Sequence, residues 1–210
     1  MARKVFFSFH YERDIKRVGQ IRNCGLTKPD LESAGFIDAA SWESIKNQGV
    51  EAIKRWIAEQ LDGTSVTVVL IGAETSQREW VIYEIKESYK KGNALLGIYI
   101  HNVVGLDKKT DVKGQNPFNQ FYIKRDRSEI CLSQICKTYD WVNDGGYDNF
   151  GKWVEEAFKN REEWGDDELI ESTGESQDIK VRSTFTSSNP GHNSGFTPRS
   201  PWSGNNADIE

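Results

Sequence analysis

Val66-Thr67-Val68-Val69-Leu70-Ile71 is the stretch that most narrows what this chain can become. It is short, continuous and mostly β-branched, so it reads as a strand buried on both faces. Strands of that kind sit inside parallel sheets that helices cover on either side. Gly72 closes the run, and Thr75 or Ser76 can cap the helix that follows. In that helix Val81, Ile85 and Tyr89 recur at four-residue spacing and give a buried face. Trp80 and Glu84 are also four apart, so they stand one above the other on a neighbouring stripe. That places a carboxylate beside an indole near the carboxyl end of an interior strand, the edge where open α/β sheets bind ligands. Glu84 is therefore the candidate catalytic residue. A glutamate in the second turn of an amphipathic helix is more commonly a solvated one, and Glu79 and Glu87 are expected to be so.

The rest of the first 160 residues alternates in the same way. Lys4–Phe9 reads as a first, central strand, followed by the polar loop His10-Tyr11-Glu12-Arg13 and a helix capped by Asp14 and running to about Asn23. Ala34–Asp38 is a short second strand, and Asp38–Glu43 a loop or a single helical turn. A helix from about Gln48 to Leu61 places Val50, Ile53, Ile57 and Leu61 at core spacing. Beyond the Glu84 helix, Gly92 is placed as a left-handed cap and Ala94–Ile100 is the fourth strand. Val104–Phe121 reads as a long polar loop, Ile135–Val142 as the fifth strand, and Tyr147–Asn160 as the last helix. Strands alternating with helices imply an α/β fold with a doubly wound parallel sheet.

Periodicity stops after about Glu163. Residues 172–206 are rich in Ser, Thr, Gly, Asn and Pro, a composition that buries too little apolar surface to offset its ordering entropy. The expectation is a folded domain over 1–162 and a tail over 163–210, acidic and then disordered, with Phe185, Phe196 and Trp202 as a possible docking motif. The net charge of −5 belongs to that tail: ten acidic and four basic residues fall from Arg161 onward, leaving 22 acidic and 23 basic before it. A near-neutral domain argues against nucleic-acid binding. No apolar run approaches the ~20 residues of a membrane span, and the N-terminal one is too short for a signal peptide, which points to the cytoplasm. Cys24, Cys131 and Cys136 make no metal-ligand pattern, so neither a metal nor a disulfide is expected.

Six stretches together resemble one family. Val5-Phe6-Phe7-Ser8-Phe9 followed by Asp14 is similar to the opening strand and loop of a TIR domain, and Gly35-Phe36-Ile37-Asp38 to its second strand. Trp80-Val81-Ile82-Tyr83-Glu84 matches the family's Trp-x-x-x-Glu motif. Gly92–Ile100, Gly114-Gln115-Asn116-Pro117-Phe118 and Tyr139-Asp140-Trp141-Val142 resemble the TIR-like proteins of bacterial Thoeris anti-phage defence. The resemblance covers roughly residues 3–160 and implies a flavodoxin-like sheet in the order 2-1-3-4-5. It also implies NAD as a substrate rather than a cofactor, cleavage at the nicotinamide–ribose bond with Glu84 as the catalytic carboxylate, and a cyclic ADP-ribose-type signal read by a separate effector protein. Self-association through TIR surfaces is implied as well.

That chemistry suits the residues. Nicotinamide departs neutral, so no strong acid is needed, and the developing oxocarbenium-like ribosyl centre is what an ionised glutamate would stabilise. Trp80 would wall the pocket and exclude water, letting an oxygen of the same ADP-ribose close a ring. Phe7, Ser8, Phe9 and His10 leave the carboxyl end of the first strand at the switch point of such a sheet. With Asp38 and Trp80 they are the candidate substrate-binding residues: Ser8 for a ribose or phosphate, Phe9 or His10 for stacking. No glycine-rich phosphate loop is present. Two other readings stand beside this one, a non-catalytic TIR adaptor and an enzyme like the nucleoside deoxyribosyltransferases.

Overall fold

The structure is a computed structural model that describes residues 3–26, 31–34, 39–125, 128–161 and 167–172. All of these up to Glu171 belong to one compact unit, Met1–Glu171. The tail aromatics Phe185, Phe196 and Trp202 lie outside the described residues.

Five strands form the expected parallel sheet. They are β1 (Arg3–Phe9), β2 (Leu31–Ala34), β3 (Val66–Ile71), β4 (Ala94–Tyr99) and β7 (Thr138–Asp140), in the order β2-β1-β3-β4-β7. Every adjacent pair is parallel, and Ser8 lies in register with Val69 across β1 and β3. All six residues of β3 are buried, as a strand with no polar face requires.

Helices cover the two faces. Helices α1 (Tyr11–Leu26) and α6 (Gly146–Asn160) close one side, where Val5, Phe7, Phe9, Val68, Leu70, Leu96 and Ile98 pack with Val18, Ile21, Phe150 and Trp153. Trp153 stacks on Tyr139 of β7, ring centroids 4.3 Å apart and 4° from parallel. Helices α2 (Ala39–Asn47), α3 (Val50–Leu61) and α4 (Glu79–Lys91) follow in turn, with α3 packed against α2 and α4. On the α4 side Val81 and Ile85 bury against Val69, Ile71 and Leu95. Gly92 ends α4 at φ 80°, the left-handed cap its position predicts.

Three local expectations differ from the structure. The second strand occupies Leu31–Ala34, sharing only Ala34 with the expected 34–38, while 35–38 lie outside the described residues. The segment after it is a nine-residue helix, α2, where a loop or one turn was expected. Its Trp42 is 5% exposed and ring-packed between Tyr11 and Trp56, so tertiary aromatic contact holds a helix of little intrinsic amphipathicity. The α4 helix begins at Glu79 with Arg78 as its N-cap, and Thr75–Gln77 forms a separate 3₁₀ turn. Thr75 Oγ1 explains the break: it accepts from the Gly72 N–H at 2.9 Å and donates to the Leu70 carbonyl, folding the turn back on β3.

The region read as one long loop and then a strand contains a second, small sheet. A polar loop does run from β4 to Asn116, but Pro117–Gln120 is a 3₁₀ turn capped by the Asn116 side chain. Strands β5 (Phe121–Arg125), β6 (Ser128–Cys131) and β8 (Leu169–Glu171) then make an antiparallel sheet in the order β6-β5-β8. A four-residue helix, α5 (Leu132–Ile135), precedes the short β7. Phe121 and Ile123 alternate inward and join the α4-side core with Phe118 and Leu132. Because β8 pairs with β5, the folded unit runs past residue 162 into the acidic stretch.

Candidate functional site

Position in β1 decides which way each residue of Phe7-Ser8-Phe9 faces, because side chains alternate along a strand. Phe7 and Phe9 point into the α1/α6 layer, where Phe7 stacks on Phe150 at 5.8 Å and Phe9 packs on Tyr11. Ser8 points the other way, toward α4. The structure thus separates Phe7 and Phe9 from the carboxylate that they were expected to accompany: both are core side chains, 3% and 8% exposed.

Ser8 and Glu84 are brought together. Ser8 Oγ donates to Glu84 Oε2 at 2.5 Å across 76 residues of sequence, and the Ser8 side chain is fully buried. Glu84 is 9% exposed, placed by Val81 and Ile85, whose burial turns the first two turns of α4 onto the sheet. Burial pushes the Glu84 carboxyl up to about 8, against a smaller opposing effect of the Ser8 hydroxyl. Among the described residues nothing charged offsets that burial. A lone hydroxyl therefore holds a desolvated acid that keeps its proton at neutral pH.

Trp80 is one helical turn before Glu84 and, at 3.6 residues per turn, roughly 40° round the axis from it. It lines a different space. A cavity of about 510 Å³ opens on the outer side of α4, walled by Trp80, Tyr83, Lys86, Val50, Gln77 and Gln120 among others. Trp80 and Tyr83 meet edge to face at 5.9 Å. Glu84 is not on this wall; it faces β1. The indole therefore belongs to the open aromatic cleft, and the buried carboxyl to the sheet side of α4. Tyr83 was not singled out from the sequence, although its spacing of three from Trp80 puts both rings on one side of a helix.

His10 follows β1 at the carboxyl edge and is 4% exposed. Burial, then the nearby Arg78, lower its pKa to about 4, with Glu74 opposing, so it stands neutral. Asp14 is not the N-cap it was read as. Helix α1 starts at Tyr11, the Asp14 N–H donates to the His10 carbonyl, and the side chain is fully buried. Its carboxyl lies against the Cα of Gly72: a Cβ there would come within 2.2 Å of Asp14 Oδ2. Burial raises the Asp14 pKa to about 6, with Arg13 opposing. Gly114 of the long loop approaches the same point, where its own Cβ would meet the Gly72 carbonyl at 1.9 Å.

Around this junction a row of ion pairs ties the same three segments. Arg13 reaches Glu74 at 2.7 Å and Asp111 at 3.0 Å, Arg17 reaches Asp111 at 3.4 Å, and Arg78 pairs with Glu74. The long loop is thereby fastened to α1 and to the β3–α4 turn. Asp38 lies outside the described residues. No helix among the described residues is long and apolar enough to cross a membrane.

The fold agrees with what the chain is similar to. The family described as Thoeris protein ThsB, TIR-like domain, matches residues 6–104, a span holding the second half of β1 with Ser8 and the whole Glu84 helix. A protein of Bacillus cereus (strain MSX-D12) named "Putative cyclic ADP-D-ribose synthase ThsB1" is 37% identical over 191 residues, covering 73% of this chain and all of that protein. At that identity and coverage, the chain belongs to the Thoeris ThsB family of TIR-like proteins.

Proposed function

We propose that this chain cleaves the nicotinamide–ribose bond of NAD+ and closes the ribosyl centre onto a nucleophile of the same molecule. The product would be a cyclic ADP-ribose-type signal in anti-phage defence. The observation that carries the reading is the Ser8–Glu84 pair, a buried carboxyl held at 2.5 Å by one hydroxyl on the ligand-binding side of the sheet. The name of the Bacillus cereus relative supports the product class.

The chemistry runs from those atoms. The C1′–N bond breaks, its electron pair leaves with the ring nitrogen, and nicotinamide departs neutral. Positive charge then builds on C1′ and the ring oxygen, where an ionised Glu84 would offset it. Ser8 holds the carboxyl in one orientation, so little reorganisation accompanies the step. The edge-to-face Trp80–Tyr83 pair walls the neighbouring cleft rather than the ribosyl face, and an internal nucleophile would complete the bond at C1′, giving up its proton to solvent. The signal would be read by a separate protein in the cytoplasm. Copies of the chain would associate through their TIR-like surfaces.

Nucleotides extracted from phage-infected cells expressing the chain, analysed by mass spectrometry, test the reading. A cyclic ADP-ribose isomer and free nicotinamide are expected with the wild type. With Glu84→Gln, turnover of NAD+ by the chain should fall a few hundred-fold, the effect of about 3–4 kcal/mol of lost electrostatic stabilisation. An unchanged product yield from Glu84→Gln would overturn it.

A further inference from the structure

Glu84 poses a question that bond cleavage alone does not answer. Its carboxyl is nine-tenths buried, and among the described residues its one hydrogen-bond donor is a neutral hydroxyl. The described elements packed against α4 bring it no counter-charge. From β1 it meets Ser8, while Lys4 at the other end of that strand donates to the Asp62 carbonyl. Strand β3 carries no titratable side chain, and Tyr99 of β4 lies under Lys113. The α3 charges Glu51 and Lys54 pair with each other. On α4 and its cap, Lys86 pairs with Glu171 and Arg78 with Glu74, while Glu79 and Glu87 share the charge sign of Glu84. None of these acts on the Glu84 carboxyl.

We propose that the site selects its substrate by charge: it admits the N-ribosylpyridinium cation of an oxidised nicotinamide dinucleotide in exchange for the proton of Glu84, and discriminates against the uncharged dihydronicotinamide form. This rests on the NAD+ reading above. The exchange balances. A neutral carboxyl and a cation enter; a carboxylate–cation pair remains, and one proton leaves to buffer. The ionised glutamate that cleavage needs is then created by the substrate itself. Free carboxylate in a buried, unpaired site would be costly, whereas a carboxylate beside a pyridinium is compensated. The dihydro form carries no charge on its ring and leaves the proton where it is.

Two measurable consequences follow. Below the point where free Glu84 ionises, near pH 8, affinity for the cation should rise roughly tenfold per pH unit, while affinity for the dihydro form should stay flat. Binding of the cation near pH 6.5 should release close to one proton per site.

The probe is carbocyclic NAD+, which keeps the pyridinium charge and resists cleavage, with NADH as the neutral comparison. Titration calorimetry at pH 6.5, in two buffers of different ionisation enthalpy, reads proton release directly. Release approaching one proton with carbocyclic NAD+, close to none with NADH, and none from Glu84→Gln is the expected set. Ser8→Ala is the second variant: losing the donor should move the upper limit of the pH-dependent range higher. Glu87→Gln should match the wild type. Binding of the cation without proton release would overturn this inference and leave the NAD+ reading standing. Failure of both dinucleotides to bind at any pH would overturn both.

Discussion

Replacing Glu84 by Gln should stabilise the protein at neutral pH, and its effect should become steadily more favourable as pH rises from 5. The carboxyl titrates at about 8 in the folded chain, against a usual value of 4.5. Its folded pKa is raised, so the folded state holds the proton more tightly than the unfolded state does. Stability is full below about pH 4.5, declines as pH rises, and levels off above about 8. Each pH unit inside that interval costs about 1.4 kcal/mol. The carboxyl therefore withholds roughly 1 kcal/mol at pH 5 and roughly 3 kcal/mol at pH 7. Gln keeps an acceptor for Ser8 but introduces an amide N–H₂ that lacks a partner, a cost of about 1–2 kcal/mol that does not vary with pH. Only the pH dependence isolates Glu84, since His10 and Asp14 titrate equally in both proteins. Melting curves of the two proteins should diverge by roughly 5–10 °C between pH 5 and pH 7, at 2–4 °C per kcal/mol for a domain of this size. A difference in melting temperature that stays flat across that range would show that Glu84 titrates as a solvated acid, and the desolvated site with it would fall.

Asp14→Asn should likewise raise stability above pH 6 and have little effect near pH 3, because the buried carboxyl holds its proton up to about pH 6; equal gains at both ends in denaturant titrations would contradict this. Gly72→Ala should cost about 1–3 kcal/mol through collision with Asp14. Asp14→Ala in the same chain should recover most of that loss, and a simply additive double mutant would mean the clash lies elsewhere. Trp153→Ala empties a site 5% exposed and stacked on Tyr139, so about 3–5 kcal/mol should be lost in urea unfolding; an unchanged midpoint would refute that packing. Deleting Leu169 onward should lower the melting temperature below that of a chain ending at Ser172, since β5 loses its β8 partner and Lys86 loses Glu171. Coincident melting of the two truncations would show that β8 contributes nothing.

The parallel sheet was legible because its inner strands are buried on both faces and carry that fact locally. Val66–Ile71 and Ala94–Tyr99 need no partner information to read as interior strands, alternation with helices made the sheet parallel, and the strand order came from the resemblance to TIR domains. The small sheet was not legible for the opposite reason. Its strands are five, four and three residues long, and β5 pairs with β8 from more than 40 residues further on. Runs that short carry too few alternations to stand out from a loop. Helix α2 was missed on related grounds: Trp42 is inside because Tyr11 and Trp56 flank it, and neither neighbour is local.

The site was half legible, and the division follows the same physics. Helical spacing alone puts Trp80 and Glu84 on adjacent stripes, and the sheet rule made the end of β1 the edge to search. What spacing could not supply is direction within β1. One residue of offset decides whether Ser8 or its aromatic neighbours face α4, and the two phenylalanines were counted as site residues when they are core. The hidden acidity of Asp14 was beyond reach for a further reason. An aspartate four residues past a strand, ahead of an amphipathic run, is an ordinary cap by every local rule. Its burial against Gly72 depends on helix α1 starting four residues earlier, which places Asp14 inside the first turn and aims it at the end of β3. Buried acids thus arise where the register of one element is set by contacts made in another, and both Asp14 and Glu84 occupy such positions at the carboxyl edge of one sheet.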